Sequence, residues 1–193
     1  MRNKGLTLLE LALVLVIMGL LIGATLPLIS DLAKYKHYQA TKNRLEEIKK
    51  ALVGYALMHN RLPAADTDND GQENTRATRG SLPYISLSVG PTDDWHNSFF
   101  YDVNANLTTT STKTELCQAL QNISGRSYPQ ISINGSASVP TVLVVISKGE
   151  NGSLDEENGD GDRVYESQTP TETFDDLVIY ISPIYLYDEL GCR

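Results

Sequence analysis

Acidic side chains set in apolar or repeating surroundings are the groups of this chain with chemistry to offer, and Glu10 is the first of them. From Leu11 to Ile29 no side chain ionises. A carboxylate at the edge of such a run costs on the order of 2 kcal/mol or more without a partner in hydrocarbon, which makes it a functional candidate by default. The competing role is that of a capping acid, because the first turn of a helix favours negative charge.

Two further groups suggest hard cations. Asp66-Thr67-Asp68-Asn69-Asp70-Gly71 places acids at alternate positions before a glycine able to take the left-handed turn, the beginning of an EF-hand-like calcium loop. Ala77 stands where that loop needs its bidentate carboxylate, so the remaining ligands would be carbonyls, water or Glu73. A solvated acidic turn explains the same residues. The second group, Asp155, Asn158, Asp160 and Asp162, precedes Asp175-Asp176, and here Asp160, Asp162 and Asp175 are the expected ligands. A bound calcium would help fold loops whose charges otherwise repel; its contribution would be stability rather than catalysis.

Enzymatic chemistry has little to stand on. The histidines are His37, His59 and His96, and there is no zincin helix, nucleophile elbow or phosphate-binding loop. A formal charge of -8 argues against general nucleic-acid binding, which needs clustered Lys and Arg. Cys117 and Cys192 are too few for a zinc site; in an exported chain they read as a disulfide, the alternative being two buried thiols.

The elements that would position these groups begin with one long helix. As a helix, Leu11 to Ile29 measures roughly 28 Å, close to the 30 Å or so of bilayer hydrocarbon, so a membrane span is expected. Arg2 and Lys4 precede it, and its far end lacks the small-residue site of a secretory signal, leaving an uncleaved anchor or a segment clipped ahead of its apolar part. Lys34, Lys36, Lys42 and Arg44 follow the run, so charge counting does not fix its orientation. Tyr38, Leu45, Ile48, Leu52 and Tyr55 then repeat at helical spacing, and Arg61-Leu62-Pro63 predicts the helix end near Asn60. Beyond it, the apolar runs 98–103, 139–147 and 177–182 predict three strands, and 114–123 a short helix carrying Cys117. The fold class expected is α+β, a long helix laid on a small antiparallel sheet.

Lys4-Gly5-Leu6-Thr7-Leu8-Leu9-Glu10 resembles the class III leader of type IV pilins and type II secretion pseudopilins, and Gly19, Pro27 and the run through Arg61-Leu62-Pro63 match the same pattern. The resemblance covers residues 4 to 63; in the head it rests on strand order and the acidic loop. It implies a type IV pilin-like fold, cleavage by a prepilin peptidase between Gly5 and Leu6, and N-methylation of Leu6. Glu10 would then face the new ammonium of a neighbouring helix and set register in a filament, with Gly19 and Pro27 bounding turns able to loosen on assembly.

Its implied partners are other pilin-like subunits, the peptidase and an inner-membrane assembly platform. Its implied location is a single pass through the inner membrane with a periplasmic head, before assembly into a periplasmic pseudopilus or an extracellular pilus. The corresponding parts are a leader (1–5), a transmembrane and filament-core helix half (6–30) and a head (31–193). A Cys117–Cys192 link would resemble the C-terminal disulfide of type IV pilins. The acidic loop after residue 148 resembles the calcium loop of the major pseudopilin, and Asp93-Asp94-Trp95-His96-Asn97 resembles the turn before its first strand, with Trp95 as core. The choice between pilus and pseudopilus stays open. An uncleaved, membrane-tethered calcium-binding or adhesive module is the alternative from another class.

Overall fold

The computed structural model describes residues 7–125, 127–171 and 173–192, and the side chains of all of these except 24–31. It is α+β and divides into two compact units, Met1–Gln39 and Ala40–Arg193. Helix α1, Leu8–His59, contributes to both.

The part of α1 in the first unit buries none of its described apolar side chains between Leu8 and Ile22: Leu8 is 88% and Met18 56% exposed, with Leu13, Leu15, Leu20 and Leu21 similar. Here one expectation is corrected. Among the described residues, no helix is long and apolar enough to cross a membrane, which overturns the expected single-pass location in an inner membrane. Beyond Asp31, a charged residue falls in nearly every turn.

In the second unit the helical stripe is buried as its spacing requires. Thr41, Leu45, Ile48, Leu52, Tyr55 and Ala56 all lie inside, while Tyr38, in the first unit, is half-buried. The helix stops where the proline predicts. Asn60 takes a left-handed conformation (φ 56°) and its N–H still donates to the Ala56 carbonyl at 2.9 Å, after which Arg61-Leu62-Pro63 leaves the helix axis.

The main sheet has four antiparallel strands, one more than the sequence indicates, in the order β1 (Arg79–Ser81), β2 (Phe100–Val103), β5 (Leu143–Ser147) and β7 (Leu177–Ile181). Its register sets Tyr101 opposite Val145 and Val145 opposite Ile179. The long apolar run 139–147 is not one strand. Pro140 has no N–H to donate, so β4 (Val139–Pro140) is a two-residue edge paired with β3 (Gln130–Ile133) in a second sheet, and β5 begins afresh at Leu143. That second sheet is completed by β6 (Val164–Ser167), parallel to β3. Alternation along β5 sends Val144 and Ile146 to a cluster with Ile131 and Tyr165 of the second sheet, and the sheets join across this core.

Short helices complete the unit: α2 (Tyr84–Leu87), α3 (Lys113–Gln121), α4 (Glu156–Gly159) and α5 (Pro183–Glu189). Thr112 caps α3 by accepting the Glu115 N–H, and Ser182 caps α5 by accepting the Tyr185 N–H, with Pro183 in the first turn. The expected disulfide is present: Cys117 on α3 is bonded to Cys192 just beyond α5, with Cα atoms 5.7 Å apart.

Candidate functional site

Glu10 forms a capping box with Thr7. Its Oε2 accepts the Thr7 N–H at 2.9 Å and the Thr7 hydroxyl at 3.0 Å, and its own N–H donates to Thr7 Oγ1 at 3.2 Å. In the isolated chain the carboxylate therefore caps α1, and the apolar surface of Leu8 to Ile22 continues directly from it. The cleavage and methylation positions Gly5 and Leu6 lie outside the described residues. Gly19 has open space around it, and α1 is helical through both Gly19 and Pro27, whose side chain is not among those described.

The first acidic loop brings Asp66, Asp68 and Asp70 together, with one carboxylate oxygen of each within 4.8 Å of the others. Asp66, however, is buried and satisfied by backbone. Its Oδ1 accepts the N–H groups of Asp68 (3.1 Å) and Asn69 (2.7 Å), and its Oδ2 accepts that of Gly71 (2.8 Å). Glu73, expected as a substitute ligand, is engaged elsewhere: it takes both Arg61 nitrogens at 2.7 and 2.6 Å, the Tyr55 hydroxyl at 2.8 Å and the Ala64 N–H at 2.9 Å. This loop folds through its own hydrogen bonds.

The second acidic region separates the residues that the sequence grouped. Asp160 and Asp162 join Glu157 in an exposed cluster, where each aspartate also caps the turn into β6, Asp160 Oδ1 accepting the Asp162 N–H and Asp162 Oδ1 the Val164 N–H. Desolvation, and then repulsion from Asp160, Asp162 and Glu166, raises the Glu157 carboxyl above its usual range. Asp175 converges instead with Asp155 and Asp176.

That second trio is the candidate cation site. Asp176 is 2% exposed; its Oδ2 accepts the Asp155 N–H and the Asn158 amide, each at 2.9 Å, while its Oδ1 is buried without a hydrogen-bond partner. Asp175 repeats the arrangement, with Oδ2 accepting the Asn151 N–H at 2.9 Å and Oδ1 buried and unsatisfied. Buried carboxylate oxygens without donors are costly, and a cation is the partner their chemistry calls for. Burial pushes the Asp176 carboxyl up to about 6, and burial raises Asp175 as well. Gly149 (φ +58°) is required here, since a Cβ at this position would collide with the Asp175 carboxylate.

Sequence reasoning set Asp155 in the acidic group but did not bring it together with Asp175 and Asp176. The available signal was the doublet itself: immediately before the alternating strand 177–181, one of two adjacent aspartates has to turn inward. It also took Trp95 as core, whereas Trp95 is half-buried and the fully buried member of its turn is Asp93. His59 lies against the Tyr55 ring with centroids 4.2 Å apart.

No protein-family model, curated protein or solved structure matches the chain, so its class rests on these residues and their geometry.

Proposed function

We propose that this chain is a structural subunit of a type IV filament, with a pilin-like fold, assembled by helix-to-helix packing into a pseudopilus or a type IV pilus. The observation carrying this reading is the uncovered apolar surface of α1 from Leu8 to Ile22, headed by a single acid. Apolar patches larger than a few hundred Å² are rare on soluble monomers and mark association surfaces. The same segment of neighbouring copies or related subunits is a chemically matched cover, since leucine-rich helices pack against one another ridges into grooves.

Maturation fits the same scheme. Prepilin peptidase cleaves between Gly5 and Leu6 and methylates Leu6, and the new ammonium competes with Thr7 for the Glu10 carboxylate of an adjacent helix. Such a pair fixes register more than it adds stability, because both groups lose water on pairing. The antiparallel sheet and the Cys117–Cys192 link at the C-terminus support the pilin-like reading.

Calcium is proposed at Asp155, Asp175 and Asp176, which each offer a carboxylate oxygen within 4.8 Å of the others, and two of which carry a buried oxygen without a hydrogen-bond partner. The ion would offset two of the trio's three negative charges and hold the loop after Lys148 to the start of β7.

Mass spectrometry of the matured chain and sedimentation of its polymers test the assembly reading. Loss of residues 1–5 with one methyl on Leu6, and loss of polymer in matured Glu10→Ala, are the expected results; an intact N-terminus or undiminished polymer from Glu10→Ala overturns it. Thermal melting with calcium and with chelator tests the ion, and an unchanged midpoint removes it.

A further inference from the structure

The acidic trio is connected to α1 by an unbroken series of hydrogen bonds within the second unit. Starting at the trio, Asn151 donates to Asp175, and Gly152 closes the same loop by donating to the Lys148 carbonyl at 3.1 Å. The loop is held in turn by Asn97, whose amide donates to the Gly149 carbonyl at 2.7 Å. Gly149 N–H donates to Ser147 Oγ at 3.3 Å, and the Ser147 hydroxyl donates to Asp93 Oδ2 at 2.7 Å.

Asp93 organises the next segment. It is fully buried, and its Oδ1 accepts the N–H groups of Trp95 at 2.9 Å and Asn97 at 2.8 Å. This turn is bolted to α1 at four points. Arg44 donates to the carbonyls of Thr92 (2.8 Å) and Asp93 (2.9 Å) and pairs with Asp94 Oδ1 (3.1 Å), while the Asp94 N–H donates to Thr41 Oγ1 at 3.1 Å. Thr41 is itself fully buried, so the turn reaches the packed face of the helix.

We propose that a divalent cation bound by Asp155, Asp175 and Asp176 orders the loop 148–155, and through Asn97, Ser147 and Asp93 orders the turn 92–97 and its seat on α1 at Thr41 and Arg44. This inference rests on the cation reading above and adds what the ion regulates. Without a cation, the trio's unsatisfied buried oxygens favour looser arrangements of the loop. A cation that binds only the closed arrangement shifts the population by its differential affinity, and every group tied to the loop shifts with it. In a filament subunit, α1 is the element that assembles, so occupancy in the head sets how firmly that element is held within the second unit.

The single tryptophan, Trp95, lies in the connecting turn and supplies the readout. Calcium is titrated into the full chain and followed by calorimetry, by Trp95 fluorescence and by hydrogen exchange of segments 41–45 and 92–97. The expected result is a fluorescence change that saturates with the heat of binding, and at least threefold slower exchange in both segments. Asn97→Ala is expected to bind calcium within about threefold of the parent affinity yet lose both responses. Asp176→Asn is expected to lose binding and responses together. Absence of binding heat in the parent chain removes the cation reading and this linkage with it. Binding heat with unchanged fluorescence and exchange overturns the linkage alone, as does an Asn97→Ala chain that responds like its parent. The comparison of the parent chain with and without calcium decides the matter even if Asn97→Ala folds poorly.

Discussion

Arg163 grips Asp102 through both carboxylate oxygens, Nε to Oδ2 at 3.0 Å and Nη2 to Oδ1 at 2.6 Å, and so ties the second sheet to the first. The Asp102 side chain is wholly buried and Arg163 half-buried, and the Tyr165 hydroxyl adds a third bond to Asp102 Oδ2 at 2.7 Å. A buried charge that loses its partner is left uncompensated, at a cost of about 3–5 kcal/mol. Arg163→Met is therefore expected to lower the melting temperature by roughly 10 °C, taking about 2–4 °C per kcal/mol for a domain of this size. The double variant Asp102→Leu with Arg163→Met, which removes both charges, should lose less than the single. A double variant that melts lower than Arg163→Met would show that the pair is a net stabiliser and not a matched burial.

Cys117 and Cys192 close a loop of 75 residues between α3 and the C-terminal end beyond α5. Loop-closure entropy assigns such a link about 4 kcal/mol of unfolded-state constraint. Reduction, or the Cys117→Ser and Cys192→Ser pair, should move the urea midpoint down accordingly while leaving the sheet intact. Urea unfolding with and without reductant measures it, and coincident curves would contradict it.

The Arg61–Glu73–Tyr55 cluster gives the pH profile two limbs. Hydrogen bonds from Arg61, then the Ala64 N–H and the Tyr55 hydroxyl, outweigh burial and hold the Glu73 carboxyl down to about 2. A depressed carboxyl contributes stability that is present above its unfolded value near 4.5 and is lost as pH falls through about 2. Burial, aided by the Glu73 bond, pushes Tyr55 up to about 12, so its contribution is complete below pH 10 and disappears as pH rises through 12. Melting temperature measured across both ranges should fall at each end. Glu73→Gln should flatten the acid limb and leave the remaining carboxylates to set it; an acid limb unchanged in that variant would exclude this cluster as its source.

What the sequence disclosed follows from how strong each local pattern is. The end of α1, the strands at 100–103 and 177–181 and the helix carrying Cys117 rest on long periodic runs, a proline stop or a clear cap. The strands β1, β3 and β6 do not: Arg79-Gly80-Ser81 is short and polar, and Gly80 is there because a Cβ would strike the Asp66 backbone, a tertiary reason invisible along the chain. β3 and β6 pair in parallel across more than thirty residues, so neither carries a hairpin signal. For the acidic region, the sequence groups Asp155, Asn158, Asp160 and Asp162 ahead of Asp175-Asp176, with Asp160, Asp162 and Asp175 as the expected ligands. In the structure the turn into β6 consumes the first two locally and leaves Asp175 to Asp155 and Asp176. Ser182-Pro183 carries the start signal of α5 within the sequence itself.

Thr7 and Glu10 allow capping and assembly to be separated. In the free chain the two residues satisfy one another, and in the proposed filament Glu10 exchanges this bond for a neighbour's ammonium. Thr7→Ala removes the cap, at about 1 kcal/mol of local helix stability, but leaves the charge. It should polymerise like its parent. Glu10→Gln retains the capping geometry, because glutamine also serves in a capping box, but it removes the charge. It should keep the helix content of the parent by circular dichroism and fail to pellet as polymer. If Glu10→Gln polymerises normally while Thr7→Ala does not, the acid acts only as a cap, and the register-setting ion pair has no place in the assembly.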